Sequence, residues 1–402
     1  MSIGILIPEF PSQTHSFFWR EIVALRSAGA NIDLLSTRRP PDSACRHDFA
    51  PTARAETHYV YPPRWVRAAS TLLRRPSAAV RAVRYVRGLE RTTLRNRLRH
   101  LGLMLCAADL LDYARERGIE HVHAHSCADA AHVAAICHIL GGPSYSLTLH
   151  GDLSVYGRDH TSKMAGATFV FCAGPHLVDQ IVRGAGVPPT RVKSNWMGVD
   201  TARFTDGGGS RRSNDGRLRV VTVARLDECK GHRFALEAIR AVLDHGVDID
   251  YTLVGEGAYR PVIEAEIERL GLTDRVILLG TRGERDVLEI LRTADAFVLP
   301  SVGLGEACGV AAMEAMSCGL PVVCSRIGAM PVVVDGGSAG MLVDQADVAA
   351  LTTAFIHLAT NPQLRQQLGV RARARAVAEF DVHATAGRLL RAIMARPPLN
   401  ME

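Results

Sequence analysis

The sequence predicts an α/β protein made of two Rossmann-like domains, each a doubly wound parallel sheet. The first observation is length, since 402 residues exceed the size at which one hydrophobic core keeps growing. The second is a βαβ pattern over residues 3–35, followed by further apolar runs that alternate with helical segments, which is typical of a parallel sheet. The third is a polar, Gly/Ser-rich stretch at 206–217, which we interpret as a linker. We therefore expect domains at 1–205 and 218–379.

Composition indicates a cytoplasmic protein. The chain has nine scattered cysteines and no CxxC pair, which argues against a disulfide framework and against a zinc site. The first ten residues lack the basic region of a signal peptide and resemble a first strand instead. No apolar run approaches the roughly 18 residues of a membrane-spanning helix.

The first strand, 3–7, is followed by a loop and by a helix predicted at 19–28. In a parallel sheet such a loop tip faces the ligand crevice, so Gln13, Thr14 and His15 are candidate site residues. Gln13 and Thr14, together with His125 further along the chain, are the acceptor-side candidates. The alternative is that the loop only caps the helix.

A strongly basic segment follows at 64–99, with eleven arginines and a single acid, Glu90. Five of the arginines recur at steps of three and four residues and are expected to line one helical face: Arg81, Arg84, Arg87, Arg91 and Arg95. An amphipathic basic helix suits an anionic membrane surface, with Arg81, Arg84 and Arg87 as the contact residues. An ordinary solvated face is the alternative, and nucleic acid is not expected because no nucleic-acid module is recognisable.

Histidines follow the middle strands of the first domain. His121, His123 and His125 alternate, which places them along one face of a strand rather than around a point, so no metal site is predicted. His125 and His150 each stand at the carboxyl end of a predicted strand, where side chains border the ligand crevice. A satisfied turn histidine is the alternative for His150.

The second domain opens with a strand at 219–223 and a loop that carries Arg225 and Lys230. A helix is predicted to begin near His232. Two cations at the tip of such a loop form a suitable clamp for a diphosphate.

The central feature of the second domain is the unit 296–323, predicted as strand, Gly-broken loop, helix over 310–317, and strand. Glu306 stands in the loop and Glu314 lies eight residues further on, about 12 Å along a helix. Between them the backbone N–H groups of Cys308, Gly309 and Val310 form an anion seat at a helix N-terminus. A carboxylate, an anion seat and a second carboxylate suit a nucleotide sugar, whereas an ordinary helix with two solvated glutamates is the alternative.

These motifs together resemble the retaining glycosyltransferases of the GT4 family, with the GT-B fold of two Rossmann-like domains facing a central cleft. The marks in the second half are the Arg225 and Lys230 pair, VGEG at 254–257, LGTR at 279–282 and the Glu306/Glu314 pair. The first half resembles the branch that builds exopolysaccharides of the colanic-acid type, through PSQTHSFFWREI at 11–22, HAHS at 123–126 and TLHGD at 148–152. Gln13 stands where that branch usually has an acid.

The resemblance implies a role for each matching residue. Arg225 and Lys230 would hold the donor diphosphate, and Glu314 the ribose hydroxyls. Glu306 and the backbone from Ala307 to Gly309 would hold the donor sugar. Thr281 and Arg282 would meet the base, His150 would face the sugar, and a final helix at about 380–396 would pack back on the first domain.

The resemblance implies a retaining hexosyltransferase that uses a nucleotide diphosphate sugar, with UDP favoured, and an acceptor hydroxyl on a saccharide, expected to be lipid-linked. Neither a metal nor another cofactor is expected, and a peripheral position at the inner membrane would follow from the basic helix. Two alternatives remain open at this point: a sugar-nucleotide epimerase of the same fold, and a non-catalytic nucleotide-sugar-binding protein. The sugar, the base, the acceptor, the linkage and the oligomeric state are not predicted.

Overall fold

The computed structural model describes residues 1–89, 93–208, 216–304 and 306–395. The chain divides into two compact units: Met1–Trp196 together with the chain end from Ala386, and Met197–Thr385. These limits differ from the expected ones, because residues 197–205 belong to the second unit. Most of the predicted linker, 209–215, lies outside the described residues.

The first unit contains a seven-stranded parallel sheet in the order β3-β2-β1-β4-β5-β6-β7. Its strands are β1 Ser2–Ile7, β2 Asn31–Ser36, β3 Thr57–Tyr59, β4 Ile119–Ala124, β5 Ser144–Leu149, β6 Val170–Cys172 and β7 Val192–Ser194. Its helices are α1 Ser16–Ser27, α2 Ala50–Glu56, α3 Trp65–Leu73, α4 Pro76–Arg87, α5 Leu94–Arg117, α6 Asp129–Ile139, α7 His160–Met164 and α8 His176–Asp179.

The second unit contains a six-stranded parallel sheet in the order β10-β9-β8-β11-β12-β13. Its strands are β8 Leu218–Val223, β9 Ile249–Val254, β10 Val276–Leu278, β11 Ala296–Leu299, β12 Val322–Ser325 and β13 Met341–Val343. Its helices are α9 His232–Asp244, α10 Arg260–Arg269, α11 Glu284–Thr293, α12 Val310–Ser317, α13 Met330–Val333, α14 Val348–Thr360 and α15 Pro362–Glu379. The last helix, α16 Val382–Met394, begins in this unit and from Ala386 is grouped with the first.

Most strands are rich in apolar residues because helices cover both faces of each sheet, although β5, SYSLTL, alternates polar and apolar residues while being buried throughout. Every residue of β1, β5, β11 and β12 is buried. A strand buried on both faces has no reason to alternate polar and apolar residues, which is the usual state of parallel sheets. The predicted α/β class with two parallel sheets is thus confirmed.

Each sheet has one point at which the strand order reverses. In the first unit β1 pairs with both β2 and β4, and in the second unit β8 pairs with both β9 and β11. The loops that leave these central strands run to opposite faces of the sheet, and the gap between them is the usual ligand site of doubly wound folds. In each unit the candidate residues are therefore those at the carboxyl ends of the central strands.

The segment before β8 is fastened to the second unit by hydrogen bonds. The Arg373 guanidinium donates to the carbonyl oxygens of Phe204 at 2.8 Å and Ser317 at 2.7 Å. The Ser317 hydroxyl also donates to Phe204 O, at 2.7 Å. These bonds join the segment to the end of α12 and to α15, which accounts for the position of the boundary at Trp196.

The prediction of one continuous arginine face from Arg81 to Arg95 is wrong. Helix α4 ends at Arg87, before Gly88, and α5 begins at Leu94. The Thr93 hydroxyl accepts from the backbone N–H of Asn96 and caps the new helix. Arg81, Arg84 and Arg87 still share α4, Arg95 lies on α5, and Arg91 lies outside the described residues.

Candidate functional site

The site in the second unit is built by the loops that follow β8 and β11. Lys230 ends the short 3₁₀ turn Glu228–Lys230 immediately before α9, and Glu306 lies in the loop before α12. Helix α9 begins at His232 and α12 spans Val310–Ser317, as the sequence predicted. Because β8 and β11 are neighbours in the sheet, these two loops meet at its carboxyl edge.

A buried ion pair joins the two loops. The Lys230 ammonium donates to Glu306 Oε2 at 2.8 Å, and both residues are less than a tenth exposed. The Ser301 hydroxyl also donates to Oε2, at 3.0 Å, and the backbone N–H of Gly309 donates to Oε1, at 2.9 Å. A carboxylate can accept roughly four hydrogen bonds, so these three contacts leave Glu306 about one open acceptor site.

The Glu306 carboxylate therefore occupies part of the anion seat that the sequence predicted at the start of α12. Gly309 is the N-cap residue of α12, with φ +60°, and its N–H points to this carboxylate. Negative charge is favourable at a helix N-terminus. The helix thus has a carboxylate of its own at this position, and this carboxylate also carries the ion pair to Lys230.

Glycines permit the close approach of the loops at this site. A Cβ atom on Gly231 would lie 1.9 Å from the carbonyl oxygen of Pro300, and one on Gly328 would lie 2.1 Å from that of Glu306. Both glycines have positive φ, which side chains rarely adopt. Gly231 lets the loop after β8 contact the loop after β11. Gly328 lets the loop after β12 contact the loop after β11.

Arg225 lies on the same loop as Lys230 but in a different environment. Its side chain is 56% exposed and forms an ion pair with Asp227 at 2.6 Å. Its carbonyl oxygen is 3.0 Å from Nε2 of His232, whose burial lowers the pKa of the imidazole. A neutral His232 donates one hydrogen bond to this carbonyl and thereby fixes the backbone beside the exposed guanidinium.

The other predicted donor-binding residues lie along α12 and after β10. Glu314 is buried on the second turn of α12. Cys308 is buried, and burial raises the pKa of its thiol, so the thiol stays protonated. Thr281 and Arg282 follow β10, three strands away from β11, and both are half-buried. Ala307 accepts a hydrogen bond from the backbone N–H of Ala329, and Val310 starts the helix.

In the first unit, three side chains from three elements meet at the carboxyl edge of the sheet. His125 follows β4, His150 follows β5, and Glu21 lies on α1. His125 Nδ1 is 3.1 Å from His150 Nε2, and His125 Nε2 is 2.9 Å from Glu21 Oε1. Burial, with His125 and His15 nearby, holds the pKa of His150 well below its usual range. The two histidines that the sequence placed at the crevice edge are therefore in contact.

The other candidate residues of the first unit are Gln13, Thr14 and His15, in the loop before α1. The Gln13 carboxamide oxygen accepts from the backbone N–H of Arg46 at 2.9 Å, so Gln13 braces a neighbouring loop. Thr14 is exposed. Burial lowers the pKa of His15 to about 4, so this histidine is neutral.

The earlier histidines of β4 are structural. His121 contacts the hydroxyls of Ser144 and Ser146, and His123 those of Ser146 and Thr148, all within 2.8 Å. Within the described residues, no cluster of three or more histidine, cysteine, aspartate or glutamate side chains is arranged to hold a metal ion.

A basic and apolar surface covers α3, α4 and the start of α5. Arg81, Arg84 and Arg87 are exposed, and among the described residues none has a carboxylate within 4 Å. Several large apolar side chains of the same stretch are also exposed: Trp65, Val66, Leu73, Val80, Leu94 and Leu98. No helix in the described ranges is both long enough and apolar enough to cross a bilayer.

Sequence reasoning missed two residues at these sites. Ser301 directly follows the strand β11 and Pro300, and its place after a strand end was the available signal. Glu21 was recognised only as a helix residue, because its contact with His125 joins positions 104 residues apart in the chain. The carboxylate of Glu306 was expected to face a ligand, and its pairing with Lys230 was not anticipated.

Part of the chain matches a known family model and curated relatives. Residues 209–375 match the family model described as Glycosyl transferases group 1. The putative colanic acid biosynthesis glycosyltransferase WcaL of Salmonella typhimurium is 32% identical over 208 residues, which cover 50% of this chain and 51% of the relative. The amylovoran biosynthesis glycosyltransferase AmsK of Erwinia amylovora is 32% identical over 202 residues, 49% of each. The chain thus spans about half the length of the curated relatives it matches.

A solved structure supports the fold assignment. The crystal structure of Anabaena Alr3699/HepE in complex with UDP and glucose matches 98% of this chain and 99% of its own, with a TM-score of 0.72 and 17% identity. At that identity the likeness shows the fold alone. The family match, the relatives and the two parallel-sheet units agree with the resemblance that the motifs indicated. Residues 209–375 therefore match a glycosyl transferases group 1 domain, of GT4 type, and the two parallel-sheet units have the GT-B fold.

Proposed function

We propose that this protein is a retaining glycosyltransferase that moves a hexose from a nucleotide diphosphate sugar, with UDP favoured, to a hydroxyl of a lipid-linked saccharide. The observation that carries the proposal is the Lys230–Glu306 pair at the N-terminus of α12. A buried cation and a helix N-terminus at the crevice edge of a doubly wound sheet suit an anionic ligand. The UDP in the Anabaena structure and the names of the two relatives support the donor and the pathway class.

In this reaction the bond from the anomeric carbon to the diphosphate oxygen breaks, and a bond to the acceptor oxygen forms on the same face of the sugar. The departing diphosphate takes the acceptor proton, so the products are a nucleoside diphosphate and a glycoside. Negative charge grows on the leaving group, and Lys230, Arg225 and the start of α12 stabilise it. The Arg225 side chain is exposed and able to turn towards a ligand.

The other residues would position the donor. Glu306 has about one open acceptor site, which suits a sugar hydroxyl, and its charge and orientation are fixed by Lys230, Ser301 and Gly309. Glu314 would take the ribose hydroxyls, and Thr281 with Arg282 would meet the base. His150 would face the transferred sugar, as a neutral imidazole.

The test is nucleotide release from a panel of UDP- and GDP-linked sugars by purified protein without added acceptor. We expect slow hydrolysis of one donor, and loss of this hydrolysis in Lys230→Ala. Arg240→Ala is the matched control, because among the described residues the half-buried Arg240 of α9 forms its ion pair with Asp244, on the same helix. Conversion of one sugar nucleotide into another would indicate an epimerase instead. Tight donor binding without turnover, even with lipid-linked acceptors, would indicate a binding protein.

The lipid-linked acceptor implies contact with a membrane, for which the surface of α3, α4 and α5 is suited. Arginines near an anionic surface contribute about 1 kcal/mol each, and exposed Trp65 and Leu73 can enter the interfacial layer. We expect the protein to co-sediment with anionic vesicles more than with neutral ones, and the substitution of Arg81, Arg84 and Arg87 by glutamine to abolish the difference. Equal sedimentation with both vesicle types would remove this part of the proposal.

A further inference from the structure

The first unit contains a polar cavity of about 370 Å³ that the proposed donor chemistry does not use. It lies beyond the carboxyl ends of β4 and β5, between the start of α5, the start of α6 and the segment 156–163. This volume is sufficient for a small ligand. The charged residues that line it are three cations and two acids: Arg99, Arg158, Lys163, Asp129 and Asp159. Positive charge is therefore in excess.

Lys163 is a buried cation without a carboxylate partner among the described residues. It is 2% exposed, and its ammonium donates to the backbone carbonyl oxygens of Cys127, at 2.8 Å, and Tyr156, at 2.9 Å. An ammonium has three N–H donors, so one is left over. Burial lowers the pKa of Lys163 more than the nearby carboxylates of Asp159 and Asp129 raise it. An anion in the adjacent cavity would compensate this buried charge.

The start of α6 supplies backbone donors to the same cavity, which Ala128 and Asp129 both line. The helix has no side-chain cap, and in the described part of the chain the N–H groups of Asp129 and Ala130 have no acceptor. Unused N–H groups at a helix N-terminus favour an anion. The Asp129 carboxylate on this turn forms an ion pair with Arg99 at 2.6 Å, which reduces its repulsion of such an anion.

The arginines of the cavity are accessible, whereas its histidines are not charged. Arg99 and Arg158 are exposed, so both guanidinium groups can turn towards a ligand. A guanidinium offers paired N–H donors that match the oxygens of a phosphate. Burial lowers the pKa of His100 and that of His132, so these two lining residues are neutral at neutral pH. The positive charge of the cavity therefore comes from the arginines and Lys163.

The cavity adjoins the basic and apolar surface of α3, α4 and α5. Leu94 and Leu98 are exposed on the first turns of α5, the same turns from which Arg99 lines the cavity. The Tyr85 hydroxyl of α4 lies 2.8 Å from Nδ1 of His132 in the cavity wall. A phosphate in the cavity would thus have exposed apolar side chains close by, which suits a phosphate that is attached to a lipid.

We propose that this cavity is a phosphate-binding site, which holds the phosphate or diphosphate group of the acceptor through Lys163, Arg158 and the start of α6. This inference rests on the proposed function, in which the acceptor saccharide is lipid-linked. The cavity belongs to the first unit, whereas the Lys230–Glu306 donor site belongs to the second. The phosphate of a soluble sugar phosphate has the same chemistry, so the experiment distinguishes the two sources.

Calorimetry with inorganic diphosphate tests this binding without turnover. Because diphosphate is also a ligand for the donor site, the background is the Lys230→Met/Glu306→Gln double variant, which lacks the donor-site pair. We expect one remaining binding site, which a further Arg158→Gln substitution weakens by about 10-fold, the usual effect of losing a charged hydrogen bond. Arg183→Gln removes an exposed arginine outside the cavity, so this matched control should leave the affinity for diphosphate unchanged.

Hydrogen exchange followed by mass spectrometry locates the bound diphosphate. Peptides that cover 128–132 and 156–163 should exchange more slowly in its presence, and Lys163→Met should remove this protection. Because Lys163 is buried, a variant at this position can lose stability, so the exposed Arg158 provides the second and independent variant. Absence of protection in these peptides, or wild-type diphosphate affinity in the Arg158→Gln variant, would overturn the inference.

Two further ligands identify the source of the phosphate. Phosphatidylcholine vesicles that contain a polyprenyl diphosphate are compared with phosphatidylglycerol vesicles of equal surface charge, and glucose 1-phosphate is titrated by calorimetry. We expect more protein to sediment with the diphosphate vesicles, and Arg158→Gln to remove the difference. Binding of glucose 1-phosphate alone would keep the phosphate site and assign it to a soluble ligand, and binding of neither would overturn the inference. Diphosphate protection without nucleotide release from any donor would refute the proposed function alone.

Discussion

The Lys230–Glu306 pair gives the sharpest energetic prediction. Its side chains are 11% and 7% exposed, so each charge depends on the other rather than on water. Removing one partner of a buried pair costs about 3–5 kcal/mol, because an uncompensated charge stays inside, whereas removing both charges is often nearly neutral. We therefore predict that the stability losses of the two single variants do not add up in the double variant.

The contacts of the pair determine the loss of stability that we expect for each variant. Lys230→Met leaves a buried Glu306 carboxylate with its bonds to Ser301 and Gly309, and we expect a loss of about 3 kcal/mol, the lower end of the range. Glu306→Gln leaves the Lys230 charge uncompensated but keeps the shape and one neutral acceptor oxygen for its ammonium, so we expect a loss of about 2 kcal/mol, below the range for complete removal of a partner. The double variant, which contains no buried charge here, should also lose only about 2 kcal/mol, so the coupling energy is about 3 kcal/mol.

The assay must report on the second unit alone. All three tryptophans, Trp19, Trp65 and Trp196, lie in the first unit, so their fluorescence reports the stability of that unit and serves as an internal control. Hydrogen exchange of the amides of β8, β11 and β12, followed by mass spectrometry, gives the opening free energy of the second unit. A double variant that loses the sum of the single effects, about 5 kcal/mol, would show that the two charges do not interact.

Three further predictions concern stability at other positions. Burial lowers the pKa of His132 to about 2, below the unfolded value of 6.5, so its contribution to stability is complete above about pH 6.5 and falls as the pH drops. At pH 5 His132 alone should cost the first unit about 2 kcal/mol, in addition to the losses from other buried histidines such as His15. His132→Gln should reduce the loss of stability between pH 7 and pH 5 by that amount, as measured by urea unfolding with tryptophan fluorescence. Gly328→Ala would place Cβ against the carbonyl oxygen of Glu306. Its control is Gly336→Ala, where φ is also positive but the space is open, and which should cost roughly 1 kcal/mol of stability. Gly328→Ala should cost at least twice as much, and hydrogen exchange of the second-unit amides measures both losses. Arg373→Met removes the charged donor to Phe204 O and should cost about 2 kcal/mol by the same exchange measurement, while an unchanged value would show that the segment 197–205 is held in other ways.

The elements of the second unit could largely be predicted from the sequence. The helix at 310–317 and the start of α9 at His232 coincide with the structure, since Gly319 with Pro321, and Gly231, are strong local stop and start signals. Strand ends carry the candidate residues in doubly wound sheets, so Lys230, Glu306 and His150 could be selected from the strand pattern alone.

What the sequence did not reveal depends on contacts between distant positions. The ion pair of Lys230 and Glu306 joins residues 76 apart, and that of Glu21 and His125 joins residues 104 apart. Periodicity describes one element at a time and carries no information about which side chains meet. The prediction of one continuous arginine-lined helix failed for a local reason. The spacing of the arginines in steps of three and four residues continues across Gly88, where α4 ends.

The affinity for UDP, measured by calorimetry on the wild type and on the Lys230→Met/Glu306→Gln double variant, tests the central claim most directly. The double variant should be folded, because both charges of the buried pair are removed together. Its affinity for UDP therefore reports on the ligand-binding site and not on the stability of the protein. If Lys230 of this pair binds the diphosphate, the double variant should bind UDP at least about 10-fold more weakly, since a charged hydrogen bond contributes about 1.5–3 kcal/mol. Wild-type affinity in the folded double variant would show that the pair is only structural and would contradict the account.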